Sequence, residues 1–183
     1  MITKYLPEFK VVEVNDLVGL RSGHMISQFP ADAQIATVTK GEQKFIENGI
    51  FVGLSANGTV ENFDAAKHDT MFVHYTEELN TFIDELKYFA VPYEANACYP
   101  RCIALYVNDT ITTNNIANIT LEDAKFAKVV DGVATLQTAA DNDTAFIATK
   151  SSLPTGEVAY ELTYYKLPKV TEEVSEEDEV AGE

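Results

Sequence analysis

Residues Lys44 to Phe63 read Lys-Phe-Ile-Glu-Asn-Gly-Ile-Phe-Val-Gly-Leu-Ser-Ala-Asn-Gly-Thr-Val-Glu-Asn-Phe. The stretch contains two Asn-Gly steps, Asn48-Gly49 and Asn57-Gly58, on either side of a short apolar run. Asn and Gly tolerate the positive φ that tight turns need, so Asn-Gly between apolar runs is a strong hairpin signal. The run between the two turns is too short for a helix and rich in strand-forming residues. The stretch therefore predicts a small β-meander.

The rest of the chain repeats this alternation of short strands and turn residues. Asp131-Gly132 lies between two valine-rich runs and predicts a second hairpin. Residues 158–164 alternate polar and apolar side chains, as a half-buried strand does. Strands at this spacing favour an antiparallel β-sandwich or barrel-like domain, so the chain is predicted to be mainly β. Further strands are predicted at 9–14, 34–39, 71–75, 88–91, 102–107, 110–113 and 145–148.

One segment has the period of a helix. Leu79, Phe82, Ile83 and Leu86 recur at the spacing of a single helix face, with acidic residues largely off that face. This predicts one short helix of about three turns. An irregular loop that leads into the next strand is the alternative interpretation.

The composition changes at both ends of the chain. Residues 1–34 carry apolar side chains without a regular period and predict an irregular N-terminal arm, followed by a β-rich domain at 35–168. Such an arm either packs on its own domain or extends onto a neighbouring subunit. Residues 169–183 form an acidic tail with too little apolar surface to offset its ordering entropy, so we expect it to be disordered.

The arm contains the residues that we regard as a candidate interface. Their apolar side chains need a surface to cover them, and a neighbouring subunit or the floor of a larger assembly would supply one. These residues are Phe9, Val11, Val12, Met25, Ile26 and Phe29.

The negative charge of the chain argues against some classes of binding partner. The formal net charge at pH 7 is −16, from 29 acidic and 13 basic residues, and seven of the acids lie in Thr171–Glu183. Contacts to phosphate need Lys and Arg, so we expect neither nucleic acid nor an anionic membrane as a partner. No run reaches the ~18 apolar residues of a membrane-spanning helix. The N-terminus also lacks the order of a signal peptide, which favours a protein that is made and kept in a cytoplasm, or one that is released by a route other than secretion.

Few residues are candidates for chemistry. Cys98 and Cys102 form a single pair without the further Cys or His partners of a zinc site, which favours two reduced packing thiols. His74 lies in an apolar run with no activated serine or cysteine nearby, which favours a packed histidine over a catalytic base. Asp141-Asn142-Asp143 begins like a calcium loop but lacks its later Gly and Glu. We therefore predict no catalytic, cofactor-binding or metal-binding residue and no enzyme.

Three stretches of the chain together resemble small virion structural proteins of tailed bacteriophages, in particular head decoration (capsid cement) proteins. In that family, phrases of the type Gly-x-Phe-Val followed by Asn-Gly-x-Val or Asp-Gly-x-Val, and Val-x-Asp-Thr-x-Thr-Thr-Asn, recur on β-domains. The motifs are turns and strands and include no catalytic signature. The three stretches are Glu47 to Val60, Tyr99 to Ile116 and Val130 to Leu136.

The resemblance implies a capsid decoration subunit that binds the major capsid protein in the assembled head lattice. It also implies self-association, a location in the virion after assembly in the host cytoplasm, and no cofactor. A phage tail-tube or head–tail connector subunit is the alternative within the same class. A soluble intracellular ligand-binding β-module is the alternative from another class.

Overall fold

A computed structural model describes residues 10–19, 24–75, 90–94 and 97–166. Strands hold 46% of these residues and helix almost none, which confirms that the domain is mainly β. The predicted helix at 79–86, the predicted tail at 169–183 and Phe9 lie outside the described residues.

The described residues form fifteen strands, most of them short. They are β1 (Val12–Asp16), β2 (Met25–Ile26), β3 (Val38–Lys40), β4 (Gln43–Glu47), β5 (Phe51–Leu54), β6 (Val60–Asn62), β7 (Phe72–His74), β8 (Ala90–Pro92), β9 (Cys102–Ala104), β10 (Thr110–Thr113), β11 (Ile116–Ala117), β12 (Phe126–Val130), β13 (Val133–Gln137), β14 (Thr144–Ser152) and β15 (Val158–Tyr164).

The strands form three sheets. The seven-stranded sheet, here called the outer sheet, has the order β1-β10-β15-β14-β12-β13-β11. The five-stranded central sheet has the order β2-β9-β7-β5-β6, and the small sheet has the order β3-β4-β8. Within the described part of the chain, every strand pair is antiparallel except β11 with β13. The antiparallel, multi-sheet architecture agrees with the predicted sandwich-like class.

The central sheet is buried on both faces, which makes the fold three layers thick. Side chains alternate between the two faces of a strand, and here Phe51 and Val73 belong to the core cluster shared with the outer sheet. Their neighbours Val52 and Phe72 belong to a second cluster, with Ile46 of the small sheet and residues of the 26–36 segment. Burial on both faces explains why the run around β5 is continuously apolar.

Two of the three predicted turns are hairpins, and the third is a corner. Asn57-Gly58 joins β5 to β6, and Asp131-Gly132 joins β12 to β13, as predicted. The prediction of a meander through Asn48-Gly49 is wrong, because β4 pairs with β3 and β8 and not with β5. At this turn the chain leaves the small sheet and enters the central sheet, with Gly49 at φ +82°.

The N-terminal segment contributes to two sheets from Val12 onward. β1 is an edge strand of the outer sheet and pairs with β10. β2 is an edge strand of the central sheet and pairs with β9. The described part of the predicted arm therefore packs on its own domain, which is the first of the two interpretations given above.

Candidate functional site

The candidate interface residues are separated in the structure and differ in exposure. Val12 is buried in the core between the outer and central sheets. Met25 packs against that same core from the edge of the central sheet, whereas Ile26 and Phe29 pack against the second cluster. Met25, Ile26 and Phe29 are half-buried, so each retains some surface for a contact with another molecule. Their role in such a contact stays a prediction.

Side chains at the end of β10 and directly after it hold the start of β1 in place. The Val11 backbone N–H donates to Asn114 Oδ1 at 2.8 Å, and the Thr113 hydroxyl donates to the Val11 carbonyl at 2.8 Å. Thr113 and Asn114 are themselves buried. The Val11 carbonyl also accepts a hydrogen bond of 3.3 Å from the Asn114 backbone N–H, so both main-chain groups of Val11 have partners at this end of β1.

The same segment also holds the corner between the small and central sheets. Asn115 Nδ2 donates to the Asn48 carbonyl at 2.8 Å, and the Gly49 N–H donates to the His74 carbonyl at 2.9 Å. A Cβ on Gly49 would lie 2.8 Å from Thr113 Oγ1, so only glycine fits this enclosed turn. The tight turn thus needs glycine for its positive φ and for space.

The tip of the β12–β13 hairpin also contacts the chain just after the Asn48-Gly49 corner. The Gly132 carbonyl accepts a hydrogen bond of 2.7 Å from the Phe51 N–H, at the first residue of β5. Ile50 Cγ2 lies 3.2 Å from the position that a Cβ on Gly132 would take. We call the set of Asn48, Gly49, Thr113, Asn115 and Gly132 the junction. It brings together residues from all three stretches that carry the resemblance to decoration proteins.

Asp109 is a buried acidic residue that sequence analysis did not identify as important. Its Oδ1 accepts from the Val18 N–H and its Oδ2 from the Tyr106 N–H, both at 2.9 Å. The carboxylate therefore ties the chain after β1 to the loop between β9 and β10. The Asn-Asp sequence predicts a turn here, but only the fold shows that the Asp side chain is buried in it.

His74 is fully buried and has a structural environment. Its Nδ1 donates to the Glu47 carbonyl at 2.8 Å, which links the central sheet to the end of β4. Burial lowers the pKa of His74 to about 4, although the hydrogen bond to Glu47 opposes the shift. The imidazole is therefore neutral at pH 7, and its surroundings agree with the packed histidine that the sequence favours.

The two cysteines lie in the second core cluster and are both buried. Burial raises the pKa of Cys98 and that of Cys102, so both are protonated thiols at neutral pH. A thiol is a weak nucleophile and a poor metal ligand until it ionises. In the described residues, no group of three or more His, Cys, Asp or Glu side chains is placed to hold a metal ion.

A polar groove of about 580 Å³ lies between the edge of the central sheet at β6 and the β12–β13 hairpin. Its lysines are partly neutralised, since Lys67 Nζ lies 3.1 Å from Asp64 and Lys128 Nζ lies 4.0 Å from Asp143. The Ala66 N–H and the Lys67 ammonium lower the pKa of Asp64. The groove therefore keeps a negative charge and disfavours anionic ligands. Its carboxylates are Asp32, Glu61, Asp64, Asp131 and Asp143.

His68 is buried behind one wall of this groove. Its Nδ1 accepts a hydrogen bond of 2.9 Å from the Asp64 N–H, so the proton of the neutral ring lies on Nε2. Nε2 is 3.1 Å from Glu61 Oε1 but is not aligned for a hydrogen bond with it. The ring packs on Gly53, where a Cβ would come within 2.2 Å of it. These contacts describe a packed side chain, and the residues that line the groove include no Ser, Thr or Cys.

Exposed aliphatic side chains occur at one end of the β-body, close to Asp109. Val107 is 57% exposed and Val18 is 43% exposed, and both adjoin backbone groups held by the Asp109 carboxylate. The His24 ring packs on the neighbouring Tyr106 ring with 5.5 Å between their centroids, and His24 Nδ1 hydrogen-bonds to the Tyr106 hydroxyl. We call Val18, His24, Tyr106 and Val107 the valine surface. No local sequence pattern marks this surface, because Val18 and His24 lie far from Tyr106 and Val107 in the chain.

Protein-family models, curated proteins and solved structures give no match to the chain. The resemblance to decoration proteins therefore depends on the three stretches themselves. Among the described helical residues, none belongs to a helix that is long and apolar enough to cross a membrane.

Proposed function

We propose that the protein is a virion structural protein of a tailed bacteriophage, a decoration subunit that binds the assembled head through the major capsid protein. The observation that carries the proposal is the junction. Three stretches that resemble decoration proteins contribute residues to this one buried region. A resemblance that follows a contiguous part of a scaffold supports common architecture better than separate turns would.

The composition and layering of the protein suit this role. A body with a sheet buried on both faces and satisfied polar contacts at its centre presents a fixed surface, as repeated binding to a lattice requires. Many weak and equivalent contacts on a shell add up to strong attachment, and self-association adds to them. The net charge of −16 supports a protein partner over nucleic acid or an anionic membrane.

We assign the contact with the capsid to the valine surface, together with the half-buried residues of β2. Exposed apolar side chains beside an aromatic residue are typical of the central part of a protein interface. Met25 and Ile26 follow His24 directly in the chain. This assignment replaces Val12 of the predicted interface, because Val12 is committed to the core.

The test measures co-sedimentation of the purified protein with empty shells of the virus that carries it. Val107→Glu and Val18→Glu should weaken binding strongly, because each places a charge in an apolar contact. Val158→Glu is the matched control, since Val158 is 47% exposed and lies at the other end of β15. The Tyr164 carbonyl accepts a hydrogen bond from the N–H of Asn108, the residue after Val107, so Tyr164 marks the end of β15 that lies near the valine surface. Val158 lies roughly 20 Å from Tyr164 along the strand.

The outcomes separate the candidate functions. Binding of the wild type and the control, with loss in the two valine-surface variants, supports the proposal. Failure of the folded wild type to bind shells overturns it. Rings or filaments of the protein alone, seen by negative-stain microscopy, would indicate the tail-tube or connector subunit. A monomer that ignores shells and is stabilised by a metabolite would indicate the ligand-binding module.

A further inference from the structure

We propose that Asn57 is a site of spontaneous deamidation, in which its side-chain amide is lost through attack by the Gly58 backbone nitrogen. The chain contains two Asn-Gly steps that share this intrinsic chemistry. Asn57 is exposed in the β5–β6 hairpin turn, whereas Asn48 is 2% exposed at the junction. The fold therefore separates two chemically equivalent sites into a reactive one and a protected one.

The reaction needs only water. The Gly58 nitrogen bonds to the Asn57 side-chain carbonyl carbon, the bond from that carbon to Nδ2 breaks, and ammonia leaves with the proton that Gly58 has lost. The product is a five-membered succinimide ring. Water then adds to one of the two ring carbonyls and opens the ring to Asp or to isoaspartate. Glycine favours the attack because it has no side chain to hinder its nitrogen.

The hairpin at Asn57 can open locally while its base stays closed. The Gly58 N–H donates to the Ser55 carbonyl at 3.0 Å, and this is the bond that rotation toward the succinimide must break. At the base of the turn, the Ser55 N–H donates to the Thr59 carbonyl at 2.9 Å, and the Ser55 and Thr59 hydroxyl oxygens lie 2.9 Å apart. The next pair, Leu54 with Val60, belongs to the sheet. The opening thus involves one exposed turn, and such openings have low free energies.

The same rotation at Asn48 would disrupt the centre of the protein. The Asn48 carbonyl is held by Asn115 Nδ2, and the Gly49 N–H is held by the His74 carbonyl. Thr113 Oγ1 lies 2.8 Å from the position of a Cβ on Gly49, so the turn has no room to move. The fold also keeps water from this amide. Asn48 is expected to react only through a larger opening of the structure.

The modification would change the surface and leave the sheets in place. Asp or isoaspartate at this position adds a negative charge, and isoaspartate also adds a methylene group to the main chain of the turn. Phe29 lies over the turn, with a ring carbon 3.8 Å from the position of a Cβ on Gly58. The altered turn therefore adjoins one of the half-buried candidate interface residues.

The experiment compares the two sites in one molecule. The folded protein is incubated at mildly alkaline pH, and cleavage after Phe51 places Asn48 and Asn57 in separate peptides for mass spectrometry. The Asn57 peptide should deamidate at least ~10-fold faster than the Asn48 peptide, which corresponds to ~1.4 kcal/mol of additional opening free energy at Asn48. In guanidinium-unfolded protein the two rates should become similar.

One control variant makes the test decisive. Asn57→Gln should remove the fast product while the far-ultraviolet circular dichroism spectrum stays unchanged. Equal rates at the two sites in the folded protein would overturn the proposal. So would an Asn57 that reacts only after unfolding, or an Asn57 that fails to react in either state.

Discussion

Acidification from neutral pH toward pH 4 is expected to destabilise the protein through His74. In the unfolded chain the imidazole has its ordinary pKa of 6.5, while burial lowers the pKa in the folded state to about 4. Above pH 6.5 the ring is neutral in both states, and its contribution to stability is fully present. As the pH falls from 6.5 toward 4, the unfolded state binds a proton and the folded state does not, so the free energy of unfolding decreases.

The size of the effect follows from the difference between the two pKa values. One pKa unit corresponds to about 1.4 kcal/mol, so a shift from 6.5 to about 4 gives a loss of about 3 kcal/mol once the pH is below 4. About 2 kcal/mol of this is lost by pH 5. Such a loss is a large part of the ~5–15 kcal/mol that stabilises an ordinary domain.

Denaturant unfolding, followed by circular dichroism at a series of pH values from 7 to about 4.5, measures this loss. His74→Asn keeps an amide that can donate to the Glu47 carbonyl but cannot bind a proton, so its stability should vary less over this range. His24→Gln is the control because His24 is exposed, and it should keep the wild-type dependence. If His74→Asn and the wild type lose stability in parallel between pH 6.5 and 5, the reasoning is refuted.

Three further predictions concern turns and polar contacts. Gly132→Ala should lower the free energy of unfolding by ~2–3 kcal/mol, because its φ of +79° strains alanine and the new Cβ would lie 2.7 Å from Asn62 Oδ1. Gly41→Ala, at φ +63° with open space around it, should cost only ~1 kcal/mol in the same urea titration, and equal costs would contradict the steric argument. Partial burial opposes ionisation of Asp141, but hydrogen bonds from Gln137, Thr144 and Lys128 lower its pKa to about 2. The ionised Asp141 carboxylate therefore contributes stability that is fully present above pH 3.8 and is lost as the pH falls through about 2. Asp141→Asn should remove this part of the acid-induced loss of stability in acid titrations. The part amounts to well under ~1 kcal/mol, because the side chain is largely exposed to solvent. Asn115→Ala removes the donor to a buried carbonyl and should cost ~1–3 kcal/mol by thermal or urea unfolding, whereas a cost near zero would show that the contact is replaced.

Local sequence predicted those elements that depend on local contacts. The hairpins at Asn57-Gly58 and Asp131-Gly132 are found because Gly58, Asp131 and Gly132 adopt the positive φ that these residues favour. The strand at 158–164 is found with the same limits, and from Tyr160 to Tyr164 its alternation reflects a sheet with one buried face. At its start the alternation fails, because Val158 is exposed and Ala159 is buried. Turn chemistry and periodicity are properties of neighbouring residues, so a single sequence contains them.

Local sequence did not predict which strands pair with one another. Asn48-Gly49 has the same hairpin signal as the other turns, but its two flanking strands pair with different partners. The strand predicted at 102–107 ends at Ala104, because the Tyr106 N–H bonds to the Asp109 carboxylate and not to a neighbouring strand. The first difference comes from contacts between distant parts of the chain, which propensity does not encode. The second comes from a side chain only three residues further along, whose bond to the main chain competes with strand pairing.

For the candidate interface, too, local sequence does not identify the contacts that each residue makes. Apolar side chains in a segment without a clear period need a partner surface, but the sequence does not say whether that surface belongs to the same chain. Val12 finds its partners in the core of its own domain. One buried carboxylate, that of Asp109, accepts from the N–H of Val18 and from that of Tyr106, which precedes Val107, and no local signal in the sequence marks these segments as neighbours.

The polar character of the junction has a physical consequence for the proposed role. Buried amides and hydroxyls are costly unless they find partners, and here Thr113 and Asn115 donate to the carbonyls of Val11 and Asn48. A shift of one strand by a single residue would break these bonds and leave the groups buried and unpaired, so the junction selects one arrangement of the three layers. An apolar junction would add stability but would discriminate less between neighbouring registers. For a subunit that must repeat one contact geometry at many equivalent sites of a shell, selection of a single arrangement is the more useful property.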